Sequence, residues 1–311
     1  LGAFVAQLKY EQIPQAALDV IHMGFADCVG VMLAGRDEPP TRILTDVLDP
    51  VAGPANLVFT SKTAQAPEAA WINGVAAHAL DFDDVAIKGH PSTVLVPAII
   101  AEAQALGASG KDMMTAYAAG YEVWADLARR EPEHYHSKGW HPTGILGAIG
   151  AAAACASLHK LNTEQCATAI AIGASQSAGI MANFGTMTKP FHAGRSAESA
   201  IVSVDLQKMG FTASPIILEA KRGFFQALGG GYEEGRLLGK LGNPWSFLDR
   251  GIWLKPYPTG SLGHPAMTAM HELVLEHNIQ LEDVQKVILK TSQNIHHTLL
   301  HHQPKTELQA K

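Results

Sequence analysis

Four short stretches share one device, in which a titratable residue stands directly before a proline that opens an apolar helical run. They are Gly89-His90-Pro91-Ser92, Trp140-His141-Pro142-Thr143, Thr188-Lys189-Pro190 and Gly263-His264-Pro265. Proline is pre-organised for the first helical position and gives up no useful donor there, so the residue before it falls at or near the N-cap. The positive end of the helix dipole disfavours a cationic imidazole in that place, which keeps histidine neutral and able to accept a proton. Ser, Thr, Asp and Asn cap helices better than His, so the repeated choice of His points to proton transfer rather than capping.

A second cluster, Asp81-Phe82-Asp83-Asp84, follows His78-Ala79-Leu80 and reads as the end of a helix with Asp81 and Asp84 on one face. Carboxylates at a helix C-terminus oppose its dipole and need cations, a metal or a shared proton. One reading is a magnesium site at Asp81 and Asp84 in a metal-dependent helical lyase; no second acidic motif follows, which weighs against it. The run from Gly185 to Glu198 gathers Thr188, Lys189, His192 and Arg195 around helix entrances. Backbone N–H groups, hydroxyls and cations converging there suit a carboxylate ligand, with Lys255 as a further partner. A pyridoxal Schiff base on Lys189 lacks a Gly-rich phosphate cradle. There is no GxGxxG after a strand, no Walker A sequence and no HExxH, and Gly173-Ala174-Ser175-Gln176-Ser177 misses the nucleophile elbow at its last position. His134 and His136, and His296, His297, His301 and His302, have no carboxylates nearby in sequence and read as solvated loop histidines.

Helices must carry these groups. Apolar residues recur at helical spacing over Ala16 to Leu33, Pro67 to Leu80, Thr93 to Leu106, Gly110 to Arg129, Thr143 to Leu158, Thr163 to Ala178, Arg195 to Lys208 and, briefly, Pro215 to Ala220. After a helix over Pro265 to His277, the alternating β-branched stretch Leu281 to Thr291 predicts a strand. The fold class expected is mainly α: a large all-helical domain over 1–258 and the start of a smaller α+β lid over 259–311. So few lid residues cannot close a sheet, and the chain opens without Met and stops in mid-pattern, so the lid is expected to be incomplete.

Of 311 residues only 17% are charged and 47% are hydrophobic, which excludes a disordered chain. Lys and Arg number 23 against 29 Asp and Glu, with no basic stripe, so nucleic acid is not an expected partner. The longest unbroken apolar runs, Thr93 to Ala101 and Gly144 to Leu158, stop short of a bilayer span, and no secretory signal pattern opens the chain. No membrane partner is expected, and the location expected is cytoplasmic, or mitochondrial in a eukaryote. Cys28, Cys155 and Cys166 are odd in number and lack CxxC spacing, which argues against disulfides and metal clusters.

Taken in order, His78 to Asp84, Gly89-His90-Pro91-Ser92, Trp140 to Gly144, Thr188 to Gly194, and Lys255-Pro256-Tyr257-Pro258 followed by His264 resemble the MmgE/PrpD family over nearly the whole chain. That family includes 2-methylcitrate dehydratase, cis-aconitate decarboxylase and iminodisuccinate epimerase. The resemblance implies a helical domain with an α+β lid, a homodimer, a small polycarboxylate substrate, and an active site that uses no metal or organic cofactor. Carried over by motif, the catalytic positions fall on Asp81, His90, His141, Lys189 and His264. Arg195, Lys255, Thr188 and His192 are expected to help bind substrate. Val85 stands where the animal decarboxylase has threonine, which weighs against decarboxylation, and the His-Pro-Thr pattern departs from the enteric dehydratase. The expected activity is a hydro-lyase like 2-methylcitrate dehydratase, with an epimerase, a decarboxylase, or a catalytically silent dimeric scaffold as alternatives. His90 and His141 would be acid and base, Asp81 would orient or charge a histidine, and Lys189 would hold a substrate carboxylate.

Overall fold

The structure, a computed structural model, describes residues 1–232, 241–249 and 251–311. It is mainly helical. The first helices are α1 (Gly2–Gln7), α2 (Gln15–Gly35), α3 (Pro39–Leu48), α4 (Ala66–His78) and α5 (Ser92–Leu106). They are followed by α6 (Gly110–Arg130), α7 (Pro142–Leu158), α8 (Thr163–Ala174) and α9 (Thr188–Lys208). Shorter helices α10 (Phe224–Leu228) and α11 (Ser246–Asp249) precede α12 (His264–His277), α13 (Gln293–Thr298) and α14 (Glu307–Ala310). Among the described residues the one sheet is a two-stranded antiparallel pair, β1 (Ala55–Asn56) with β2 (Thr63–Ala64).

Small residues let the central helices approach closely. A Cβ on Gly74 of α4 would lie 2.7 Å from Gly194 Cα of α9, and one on Gly194 would lie 2.3 Å from the Trp71 carbonyl oxygen. Backbones touch at this crossing, so the C-terminal end of α4, carrying His78, meets the first turns of α9, carrying Lys189 and His192. Helix α7 is buried along its whole length by the same means. Gly147 faces Ser196, Gly150 faces Gly120, and a Cβ on Gly144 would come within 2.0 Å of the Ala178 carbonyl oxygen.

Several boundaries differ from the periodicity. Helix α9 begins at Thr188 rather than Arg195, so Lys189 and Pro190 lie inside its first turn. Helix α8 stops at Ala174 rather than Ala178. Pro215 to Ala220 is not a helix: the carbonyls of Ile217 and Leu218 accept instead from Phe224 N (2.8 Å) and Phe225 N (3.1 Å), which turns the chain back on itself. The expected strand over Leu281 to Thr291 is a short 3₁₀ turn, Leu281–Asp283, followed by unpaired chain in which Val287 and Leu289 are exposed. Alternation alone makes no strand without a neighbour to take its backbone hydrogen bonds.

Helix α2 is long and apolar enough to cross a membrane by length and composition. It packs as a core helix against α4, α5 and α6, burying Ala17, Leu18, Ile21, Cys28, Val31 and Met32 on one face.

Candidate active site

Helix α4 ends at His78, and the aspartates follow in a loop, not on a helix. Asp81 takes φ 49°, and Ile87 and Lys88 take φ 44° and 65°. Left-handed backbone at three non-glycine residues, one of them β-branched, marks a loop held by its surroundings. Trp124 Nε1 donates to the Ile87 carbonyl (3.2 Å), and a Cβ on Gly89 would meet the Trp124 ring at 2.9 Å. The expected shared face of Asp81 and Asp84 is therefore absent: Asp81 turns to the lysines, while Asp84 sits in the core near Asp27.

Two backbone exchanges bring distant residues to this loop. Val85 and Trp253 exchange N–H···O bonds of 2.9 and 3.0 Å, which delivers Lys255 to Asp81 across 174 residues. The Lys255 ammonium donates to Asp81 Oδ1 at 2.6 Å and to its carbonyl at 2.7 Å, and Lys189 Nζ donates to Asp81 Oδ2 at 2.6 Å. On the other side His141 N donates to the Gly179 carbonyl (3.0 Å), which fixes the start of α7.

Four imidazoles gather beside this triad. His78 lies 4.7 Å from His90 and stacks on His141 at 5.8 Å, and His141 Nδ1 is 3.1 Å from His192 Nδ1. Phe184 closes the group, edge-on to His141 at 4.9 Å and 5.2 Å from the Lys189 ammonium. His78 Nδ1 lies 2.8 Å from Asp83 Oδ1, and His90 Nδ1 lies 3.0 Å from Asp83 Oδ2. The arrangement presents four imidazoles, two lysine side chains and two aspartate side chains at one locus, the components of proton transfer beside a bound anion.

The proline device is met in part. His141 is the N-cap of α7, with no cap hydrogen bond from its side chain. For α5 the N-cap is Pro91, and His264 is itself the first residue of α12. His141 is held well below the ordinary imidazole value, first by burial and then by His78 and Lys189, so burial and cations dominate where the helix dipole was expected to. His264 is also lowered by burial; its Nε2 meets the carbonyl and hydroxyl oxygens of Thr259 at 3.1 Å, and it feels the charges of Lys255 and Asp81. Burial pushes the Asp81 carboxyl up, but Lys189, Lys255, His90 and His78 more than reverse it, leaving it well below the usual carboxylate range. Asp84 moves the other way, raised first by burial, which outweighs the opposing hydrogen bond of the Ser92 hydroxyl, and further by the charges of Asp83 and Asp27.

Arg195 is not brought to the cluster: it pairs with Glu198 and lies 4.9 Å over the Trp71 ring. Thr188 opens α9 with its N–H on Thr186 Oγ1 (3.2 Å). Two histidines expected in solvated loops reach the rim instead, His301 through Nε2 to the Phe184 carbonyl (2.9 Å) and His136 with its ring 6.3 Å from Phe184. His78 and Asp83 join the site without having been predicted in it; their only sequence signal is the fixed spacing to Asp81 and His90, whose meaning the loop geometry supplies. His78, Asp81, Asp83 and His90 lie close enough together to share a cation. They fit one poorly, because each Asp81 oxygen already faces an ammonium at 2.6 Å.

These shifts set a stability profile. His78 and His192 are lowered to about 4 and His136 to about 3, chiefly by burial, and His134, His141 and His264 are also lowered. Their folded values lie below the unfolded one, so the unfolded chain binds their protons first and stability is lost as pH falls from the ordinary histidine value toward 4. Asp27, pushed up to about 6 by burial, acts oppositely with Asp84 and Glu122, but these carboxyls are outnumbered. Urea unfolding should therefore show a lower midpoint at about pH 5 than at about pH 7, with an unfolding free energy smaller by a few kcal/mol, at about 1.4 kcal/mol per net proton and pH unit. An unchanged or higher midpoint would mean that the histidines are not buried as described.

Residues 1–235 match the family described as MmgE/PrpD N-terminal domain. The human cis-aconitate decarboxylase is 36% identical over 162 residues, 50% of this chain and 34% of that protein. The cis-aconitate decarboxylase of Aspergillus terreus is 26% identical over 221 residues, covering 66% of this chain and 45% of its own length. A cis-aconitate decarboxylase-like protein of Aspergillus oryzae is 25% identical over 235 residues, 71% of this chain and 49% of that protein. The matched stretch thus spans less than half the length of these relatives.

Proposed function

The chain belongs to the MmgE/PrpD family, and on that footing we propose that it is the helical part of a lyase that acts on a small polycarboxylate by acid and base catalysis without a metal or organic cofactor. The observation that carries this reading is the convergence of His90, His141, Lys189 and Lys255 around Asp81. Loss of water, loss of carbon dioxide and epimerisation beside a carboxylate all place negative charge on a carbon next to that carboxylate. Each needs a proton acceptor, a proton donor and cations for the substrate's charge. His90 and His141 are the proton-transferring pair, Lys189 and Lys255 receive carboxylates, Asp81 holds the two ammonium groups apart and oriented, and His264 approaches from the start of α12. A homodimer and the rest of a lid belong to this proposal.

We read the reaction as dehydration of a 2-methylcitrate-like acid. Buried neutral imidazoles favour abstraction of a proton as the opening step, and Val85 leaves no hydroxyl after the aspartates. Decarboxylation is the second reading, favoured by the names of the curated relatives. Proton NMR in deuterated buffer, on the intact protein with 2-methylcitrate, citrate, cis-aconitate and iminodisuccinate in turn, separates the two. The expected result is an alkene from the first substrate, unaffected by chelator. A lost carboxyl group from cis-aconitate would replace the first reading with the second, and turnover abolished by chelator and restored by magnesium would overturn both.

A further inference from the structure

The nitrogen of His90 that faces away from Asp81 has only oxygen acceptors around it. Nδ1 lies 3.1 Å from the Asp84 carbonyl oxygen and 3.0 Å from Asp83 Oδ2. His78 Nδ1 lies 2.8 Å from the other oxygen of the same carboxylate. Asp83 and His78 are both fully buried at their side chains, and the far nitrogen of His78, Nε2, has no hydrogen-bond partner among the described residues. Burial pushes the Asp83 carboxyl up, but its contacts with His78 and His90 bring it below the usual range, so it acts as an acceptor only: Oδ1 accepts from His78, while Oδ2 makes no hydrogen bond of good geometry among the described residues and the His90 N–H is directed at the Asp84 carbonyl. A neutral imidazole carries one N–H, and a ring nitrogen that faces only acceptors must be the one that bears it.

We propose that Asp83 is a positioning residue whose single carboxylate acts on two rings at once, holding the proton of His78 on Nδ1 by a hydrogen bond and, together with the Asp84 carbonyl, that of His90 on Nδ1 by the proximity of its charge, so that Nε2 is bare on both. The bare Nε2 of His90 lies 3.9 Å from Asp81 Oδ1, at the locus where the lysines meet. His90 is then built to take a proton rather than give one, and Asp83 stabilises the imidazolium that results, the role an aspartate plays behind a general-base histidine. That catalytic consequence rests on the reading of the site given above. The tautomers themselves do not.

The test uses the intact protein without substrate, uniformly labelled with nitrogen-15, and long-range proton–nitrogen correlation of the histidine rings near neutral pH. The spectrum of the unaltered protein should show Nδ1 protonated and Nε2 bare on both rings, assigned by loss of each pattern in His78→Gln and His90→Gln. Asp83→Asn is nearly the same shape, yet its amide presents an acceptor oxygen to one ring and a donating NH2 to the other, so it cannot face both rings as an acceptor. One ring should therefore move its proton to Nε2, turnover should fall about 10²- to 10⁴-fold with little change in KM, and the limb of the pH–rate profile due to the base should move to lower pH. A proton on Nε2 of either ring in the unaltered protein overturns the proposal. So does an Asp83→Asn protein in which both rings keep their proton on Nδ1, whatever its rate. If that variant does not fold, the unaltered spectrum decides alone. Inactivity toward the substrate panel would leave the tautomers standing.

Discussion

Replacement of His90 or His141 by Gln should lower turnover about 10²- to 10⁴-fold, the usual loss when a proton-transferring group is removed, with the folded state retained. The expectation is specific to these two because of where they sit. The His90 ring is 14% exposed and lies beside Asp81, and His141 stacks between His78 and the Phe184 edge with its Nδ1 on His192. Neither side chain caps its helix, so truncation removes no cap hydrogen bond. Arg195→Ala is the contrasting variant, because its guanidinium is spent on Glu198 and the Trp71 face; turnover should stay within about threefold, since exposed ion pairs contribute little. Initial rates from product NMR, with circular dichroism to confirm folding, check both. Full activity in His90→Gln and His141→Gln would return these residues to packing roles and leave the scaffold reading in place.

The helices were readable because apolar spacing and proline punctuation act locally. Thr93 to Leu106 and Gly110 to Arg129 come out within one residue of α5 and α6. Helix α9 shows the limit. Between Thr188 and Arg195 a lysine, a proline, a histidine and a glycine hide its first two turns, and packing of Gly194 on Trp71 overrides that poor local preference. The candidate site was readable as a set of residues, because the histidine–proline pairs and the aspartate cluster stand out in an otherwise apolar sequence. Its wiring was not. That Lys255 reaches Asp81 depends on the Val85–Trp253 pairing, and that Asp83 serves two histidines depends on a left-handed turn at Asp81, neither of which leaves a periodic trace. Arg195 shows the same limit: composition places it among the cations, while in the structure it pairs with Glu198 and lies over the Trp71 ring, away from the histidine cluster.

Asp81→Ala should destabilise the fold by about 3–5 kcal/mol, the range for breaking a buried ion pair from one side. Both ammonium groups lose their carboxylate, but they are not equivalent. The Lys189 side chain is 15% exposed and sits at the start of a helix, so it can turn toward water; Lys255 is 2% exposed at its side chain, tied down by the Val85–Trp253 exchange, and would be left charged and unpaired. Most of the loss should therefore be carried by Lys255, and a second substitution distinguishes the two. Lys255→Met in the Asp81→Ala background removes the stranded charge while filling similar volume and should recover a large part of the lost stability, whereas Lys189→Met in that background should recover much less. Urea unfolding of the two double variants makes the comparison. A loss below about 1 kcal/mol for Asp81→Ala, the value of a solvent-exposed pair, would show that the ammonium groups already share water. Neither rescue would restore turnover, because the carboxylate that keeps two cations a fixed distance apart is also what lets a polycarboxylate find them oriented: the substrate's own carboxylates must take up the same ammonium protons that Asp81 holds at 2.6 Å.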